Sequence, residues 1–157
     1  MDRLPKRKKI RLEHYDYSSD GYYFVTVCTK NRQPLFWNPV GADIIRPNLS
    51  EYGKIVENAL NAIPVHYPTI NVDEYVIMPD HVHMILIVMS DDDESGQIIS
   101  APTIERVVGQ MKRWVSKEAG FFLWQKSFFE HVIRNEDDYV NTVAYIRNNI
   151  DKLMYTL

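Results

Sequence analysis

Cysteine is almost absent from this chain: Cys28 stands alone among 157 residues. One thiol builds neither a disulfide framework nor a cysteine-based zinc cluster, and such usage suits a reducing compartment, so a cytoplasmic location is expected. Long apolar runs are missing too. None approaches the roughly 18 residues that a bilayer-crossing helix needs, so no membrane partner is expected. The N-terminus is charged with no apolar core behind it, unlike a secretory signal. With 6 glycines and 8 prolines, the composition excludes collagen-like and low-complexity chains. The length suits one compact domain.

Charge of one sign is also scarce overall, with a net of −3, but it is unevenly placed. Residues 1–12 carry six cations (Arg3, Lys6, Arg7, Lys8, Lys9 and Arg11) against Asp2 alone, a local +5 that leaves −8 on the remainder. The expected organisation is therefore a basic N-terminal arm and loop over residues 1–20 and a single domain over 21–157. A basic arm on an acidic body can grip phosphates, although a solvated arm accounts for the charge equally well.

Hydrophobic patterning then predicts the elements. Tyr22 to Thr29, rich in aromatic and β-branched residues, reads as a buried strand. Ser50 is placed to cap a helix over Glu51 to Ile63, with Pro64 at its expected end. Ile70 to Met78 and His81 to Met89 read as two strands joined only by Pro79-Asp80, which favours an antiparallel hairpin. Residues 90–100, with Asp91, Asp92, Asp93 and Glu94, read as an exposed loop. Pro102 opens an amphipathic helix that Gly120 ends, its polar side carrying Arg106, Lys112, Arg113 and Lys117. A strand over Ser127 to Ile133 precedes a last helix from Glu136, with Asn135 as its N-cap. This order predicts an α+β fold: a ferredoxin-like βαββαβ antiparallel sheet with an added C-terminal helix.

Two segments carry the candidate chemistry. In Met78-Pro79-Asp80-His81-Val82-His83-Met84, strand alternation puts His81 and His83 on one face and sends Val82 into the core. Two imidazoles on one face can hold a divalent cation and leave positions for water and phosphate. In the last helix, Tyr145 lies off the apolar stripe of Tyr139, Val143, Ile146, Ile150 and Leu153, among Asn141, Asn148 and Asn149. A phenol, with a pKa near about 10, is a weak nucleophile at neutral pH. Beside a cation that polarises a phosphodiester, it can attack in line and form a covalent phosphotyrosine. Asn149, one turn after Tyr145, is a candidate oxygen ligand. His131 is a rival third ligand or a substrate contact.

The ordered segments Ile10-Arg11-Leu12, Tyr15-Asp16-Tyr17-Ser18, Tyr23 to Thr29, Val76 to His83, Trp124-Gln125, Glu130 to Asn135 and Tyr145-Ile146-Arg147-Asn148-Asn149 resemble the single-tyrosine HUH transposases. Within them the chain is most similar to the REP-associated tyrosine transposases. The resemblance places the family's two metal-binding histidines on His81 and His83, its nucleophile on Tyr145 and its third ligand on Asn149. It implies Mg²⁺ or Mn²⁺ as cofactor, single-stranded or hairpin DNA as partner, and a 5′-phosphotyrosine intermediate in cleavage and strand transfer. Insertion-sequence relatives act as homodimers, so a homodimer is expected. Where the family often has proline after the paired asparagines, this chain has Ile150, so the helix is expected to continue.

The resemblance makes the basic arm (Arg7, Lys8, Lys9, Arg11) and the helix cations Arg106, Lys112, Arg113 and Lys117 candidate DNA-backbone contacts. It makes Tyr15, Tyr17, Tyr22 and Tyr23 candidate stacking faces for unpaired bases, with core packing the favoured reading for Tyr22 and Tyr23 in the strand. Two other readings compete with the transposase: a domesticated repeat-binding module that does not cut DNA, and a small metal-dependent hydrolase without a nucleic-acid partner.

Overall fold

The computed structural model describes residues 21–38, 48–89, 91–92, 98–99 and 103–156. The expected arm, with Arg7, Lys8, Lys9 and Arg11, and the tyrosines at 15 and 17 lie outside the described residues.

Strand β1 (Gly21–Cys28) is central because it is apolar on both sides: it pairs antiparallel with β3 (His81–Val88) and with β6 (Phe129–Ile133). Strand β2 (Ile70–Met78) pairs antiparallel with β3, and the four strands run β2-β3-β1-β6 across the sheet. The loop expected over residues 90–100 contains a further antiparallel pair, β4 (Asp91–Asp92) and β5 (Ile98–Ile99). Two-residue strands are too short to leave a sequence signature.

Three helices flank the sheet. In α1 (Glu51–His66), the Ser50 hydroxyl accepts from Gly53 N at 3.1 Å and donates to Leu35 O at 2.5 Å, fixing the helix start to the chain before it. Gly53 is required there, since a Cβ would lie 2.2 Å from the Phe36 carbonyl oxygen. The helix does not stop at Pro64 but continues to His66, because a proline in the last turn removes one hydrogen bond without preventing Tyr67 N from closing on Ile63 O. Helix α2 (Ile104–Ala119) is capped by Thr103, whose side chain accepts from Arg106 N, rather than opened by Pro102, and ends at Gly120 in the left-handed conformation (φ 91°). Helix α3 (Glu136–Thr156) begins with Asp138 N donating to Asn135 Oδ1 at 2.8 Å and runs through Ile150, as the missing proline predicts.

Register separates the two faces. Cross-strand partners share a face, so Val25 and Glu130 lie on one side and Phe24 and His131 on the other. Burial, and then Glu105 of α2, push the Glu130 carboxyl above the usual range, whereas His131 binds Asp138 of α3. Helices α1 and α2, packed on each other, therefore cover one face and α3 covers the other. Tyr23, Val25, Val27, Val82, Met84 and Leu86 are fully buried under the helix pair.

A β-bulge between Val72 and Glu74 docks α3. Consecutive strand residues normally point to opposite faces, but the extra residue lets Asp73 and Glu74 both reach the helix. Tyr139 Oη donates to Asp73 Oδ2 at 2.5 Å, and Arg147 donates to both Glu74 oxygens at 3.0 Å. These anchors lie on either side of Tyr145 along the helix.

Candidate active site

On the α3 face, His81 and His83 meet as the strand period predicts, with ring centroids 4.6 Å apart and planes at 71°. Each ring is fixed through Nδ1. His81 Nδ1 lies 2.6 Å from Asp80 Oδ1, a separation at which this nitrogen donates to the carboxylate and Nε2 is the ring nitrogen left for other partners. Arg32 Nη2 also comes within 3.5 Å of that Nδ1. Since the nitrogen donates to Asp80, this approach is a contact between two donors and not a hydrogen bond. Arg32 instead donates through Nε to Asp80 Oδ2 at 3.0 Å. Burial alone would raise the Asp80 carboxyl, but the hydrogen bonds from Arg32 and His81 outweigh it and hold it below the ordinary range.

His83 is 5% exposed and its Nδ1 lies 2.7 Å from Thr26 Oγ1, its cross-strand partner. Burial, then the neighbouring His81 and Arg32 charges, push its pKa down to about 4, so the ring is neutral at neutral pH. Its Nε2 is buried and has no hydrogen-bond partner. An orphaned imidazole nitrogen is costly in a protein interior unless something binds it. With the Nδ1 atoms of both rings engaged, the two Nε2 atoms are the positions from which the pair could hold a divalent cation. Among the described residues no third His, Cys, Asp or Glu joins them. A cation held here would take its two nitrogens from the pair.

Tyr145 completes the cluster. Its ring lies 5.2 Å from His83 at 64° and 6.1 Å from Phe24 at 88°, and the residue is 50% exposed. Phe24 stacks on His83 at 5.3 Å and forms the floor beneath both rings. All of these side chains belong to one chain.

The Asn149 side-chain nitrogen donates to the Tyr145 carbonyl at 3.0 Å, one turn back along its own helix. Other expectations are corrected. His131 forms no metal-holding group with His81 and His83. It sits two strands from β3, opposite Phe24, with Nε2 2.9 Å from Asp138 Oδ2. Tyr22 and Tyr23, at 5% and 0% exposure, are core residues and offer no stacking face; the exposed aromatic beside the site is Phe129, 6.4 Å from Phe24. Lys112 is buried, with Nζ donating to the carbonyls of Gln125 at 2.5 Å and Lys126 at 3.2 Å, so it is a structural cation and not a surface one. Arg106, Arg113 and Lys117 are exposed, but on the face of the sheet opposite Tyr145. Arg113 and Lys117 border an apolar groove of about 320 Å³ between α1 and α2.

Sequence reasoning missed Thr26, Asp80 and Arg32 as parts of the site. Asp80 carried a local signal, being adjacent to His81 in a two-residue link. Thr26 and Arg32 carried none, because their partners are 57 and 48 residues away in sequence.

No protein-family model matches the chain. An uncharacterized protein of Haemophilus influenzae is 32% identical, over 91% of this chain and 87% of its own length. A second H. influenzae protein, named "Putative REP-associated tyrosine transposase", is 27% identical over 85% of this chain and 72% of its own length. A solved structure described as a REP-associated tyrosine transposase bound to a REP hairpin superposes with a TM-score of 0.65, covering 95% of this chain and 74% of that one at 22% identity. Among the described residues the fold is α+β, a four-stranded antiparallel sheet with three α-helices, like that of the hairpin-bound structure. The 32%-identical protein shares a family with this chain, and the 27%-identical relative is the one that carries the transposase name. Among the described residues no helix is long and apolar enough to cross a membrane.

Proposed function

We propose that this protein cleaves single-stranded DNA at hairpin or repeat ends and transfers the strand through a 5′-phosphotyrosine on Tyr145. The observation that carries this reading is the juxtaposition of Tyr145 with His83, whose buried Nε2 has no partner. The strand order fits the ferredoxin-like arrangement, with α3 as the added helix that supplies the nucleophile. Residues 21–157 would act as one catalytic domain and residues 1–20 as a basic arm on the DNA.

In the proposed reaction the Tyr145 oxygen attacks phosphorus in line. The new P–O(Tyr) bond forms as the bond to the 3′ oxygen breaks, and the phenolic proton leaves to solvent, which the half-exposed ring meets directly. The departing 3′ oxygen takes up a proton as the free hydroxyl. The reverse transesterification onto another 3′ end rejoins DNA without an external energy source. Mg²⁺ or Mn²⁺ held by Nε2 of His81 and His83 would supply Lewis-acid stabilisation of charge on the phosphate oxygens. Asp80 and Thr26 orient the two imidazoles, Phe24 supports His83 and Tyr145, and the bulge anchors hold α3 in place. Dimerisation, expected from insertion-sequence relatives, is not required to assemble these residues.

The test is incubation with single-stranded hairpin DNA and Mn²⁺. A covalent protein–DNA adduct is expected, lost in Tyr145→Phe and in His81→Ala. An adduct that survives Tyr145→Phe would overturn the assignment of the nucleophile. Hairpin binding indifferent to metal, with no adduct, would instead identify a repeat-binding module.

A further inference from the structure

The turn after β1 contains two consecutive non-glycine residues in the left-handed region, Asn31 (φ 57°) and Arg32 (φ 55°). L-residues adopt this conformation reluctantly, and a pair in succession persists only where the surroundings impose it. Here they do. Thr29 N and its buried hydroxyl both bind Asp80 O, the hydroxyl also binds Gln33 O, and Lys30 N binds Leu123 O. The result is that Arg32 is carried back over the Pro79-Asp80 link to the edge of the histidine pair.

Holding Asp80 does not account for the whole guanidinium. Only Nε, one of five N–H donors, is used on Asp80, and the Arg32 side chain remains 52% exposed. Its Nη2 lies 3.5 Å from the His81 ring without a hydrogen bond there. The guanidinium's unused edge is a two-nitrogen cationic fork beside the histidine pair. That fork matches the oxygens of a phosphodiester.

We propose that Arg32 binds a non-bridging oxygen of the DNA phosphate at this site, as a substrate-contacting residue distinct from the histidine pair. The inference rests on the DNA-cleaving reading above, but is testable by binding alone. In the Tyr145→Phe protein with Mn²⁺, affinity is measured for a single-stranded hairpin oligonucleotide carrying one neutral methylphosphonate, moved position by position. At one position, neutralisation is expected to weaken binding about 10-fold. Adding Arg32→Ala should weaken the all-phosphate oligonucleotide by a similar factor and abolish the further penalty at that position. The slope of log affinity against log salt should fall by about one. Mn²⁺ affinity, measured without DNA, should stay within about 3-fold, because Asp80 still orients His81. A methylphosphonate penalty unchanged by Arg32→Ala would overturn the proposal. So would a parallel loss of Mn²⁺ affinity, which would make Arg32 only a support for Asp80. Complete absence of DNA binding would overturn this inference and the cleavage reading together. An adduct formed in the Tyr145-containing protein with no Arg32-dependent position would overturn this inference alone.

Discussion

Thr26 Oγ1 and His83 Nδ1 lie 2.7 Å apart across neighbouring strands, and this contact holds the ring with Nδ1 engaged and Nε2 on its far side. In Thr26→Val the shape is nearly kept but Nδ1 loses its partner, and the ring is held less firmly. Mn²⁺ affinity, read by isothermal titration, is expected to weaken about 10-fold. Loss of the hydrogen bond should also lower stability by about 1–2 kcal/mol.

Tyr139 ties α3 to the bulge, and its phenol is held well above the ordinary tyrosine range, first by burial and then by the hydrogen bond to Asp73. The folded state therefore keeps a proton that the unfolded chain releases near pH 10. Its contribution is full below that pH and is lost as pH rises beyond it. Urea unfolding should show Tyr139→Phe less stable by about 1–2 kcal/mol at pH 8, with a smaller gap to the unmodified chain at pH 11. A constant gap would mean that the Tyr139 phenol does not titrate with folding.

Lys112 and Arg113 are neighbours on α2 with opposite fates. Lys112→Ala leaves the Gln125 and Lys126 carbonyls without their shared donor and should cost about 2 kcal/mol in chemical denaturation. Arg113→Ala, on the exposed side, should change stability by less than about 0.5 kcal/mol. Neither substitution is expected to alter Tyr145 adduct formation on a short hairpin, since α2 covers the opposite face of the sheet.

Gly53→Ala would press a methyl group against the Phe36 carbonyl, 2.2 Å from the ideal Cβ position. The helix start must shift, and a loss of about 2–4 kcal/mol is expected in thermal or urea unfolding.

Much of this structure was legible in local pattern. Alternation placed His81 and His83 together and buried Val82, and Asn135, Ser50 and Gly120 marked helix ends through side-chain or backbone chemistry that acts over three or four residues. Tyr145 was off the apolar stripe in sequence and is half exposed in the fold. The failures have physical causes. Lys112 falls on the polar side of a helical wheel, but its long stem carries the ammonium inward to two carbonyls, which periodicity cannot register. Tyr22 and Tyr23, by contrast, pack in the core as expected of a buried strand, each under one of the helix layers on the two faces of the sheet.

The bulge in β2 gives the position of Tyr145 an arithmetical basis. Asp73 and Glu74 face the same helix only because one residue is inserted between paired positions of the ladder. Deleting Asp73, the one residue between Val72 and Glu74, would restore strict alternation, keep Glu74 opposite Ile85 with its hold on Arg147, and release Tyr139. The count of residues in an inner stretch of strand, rather than any group near the phosphate, thus sets how firmly Tyr145 is aimed.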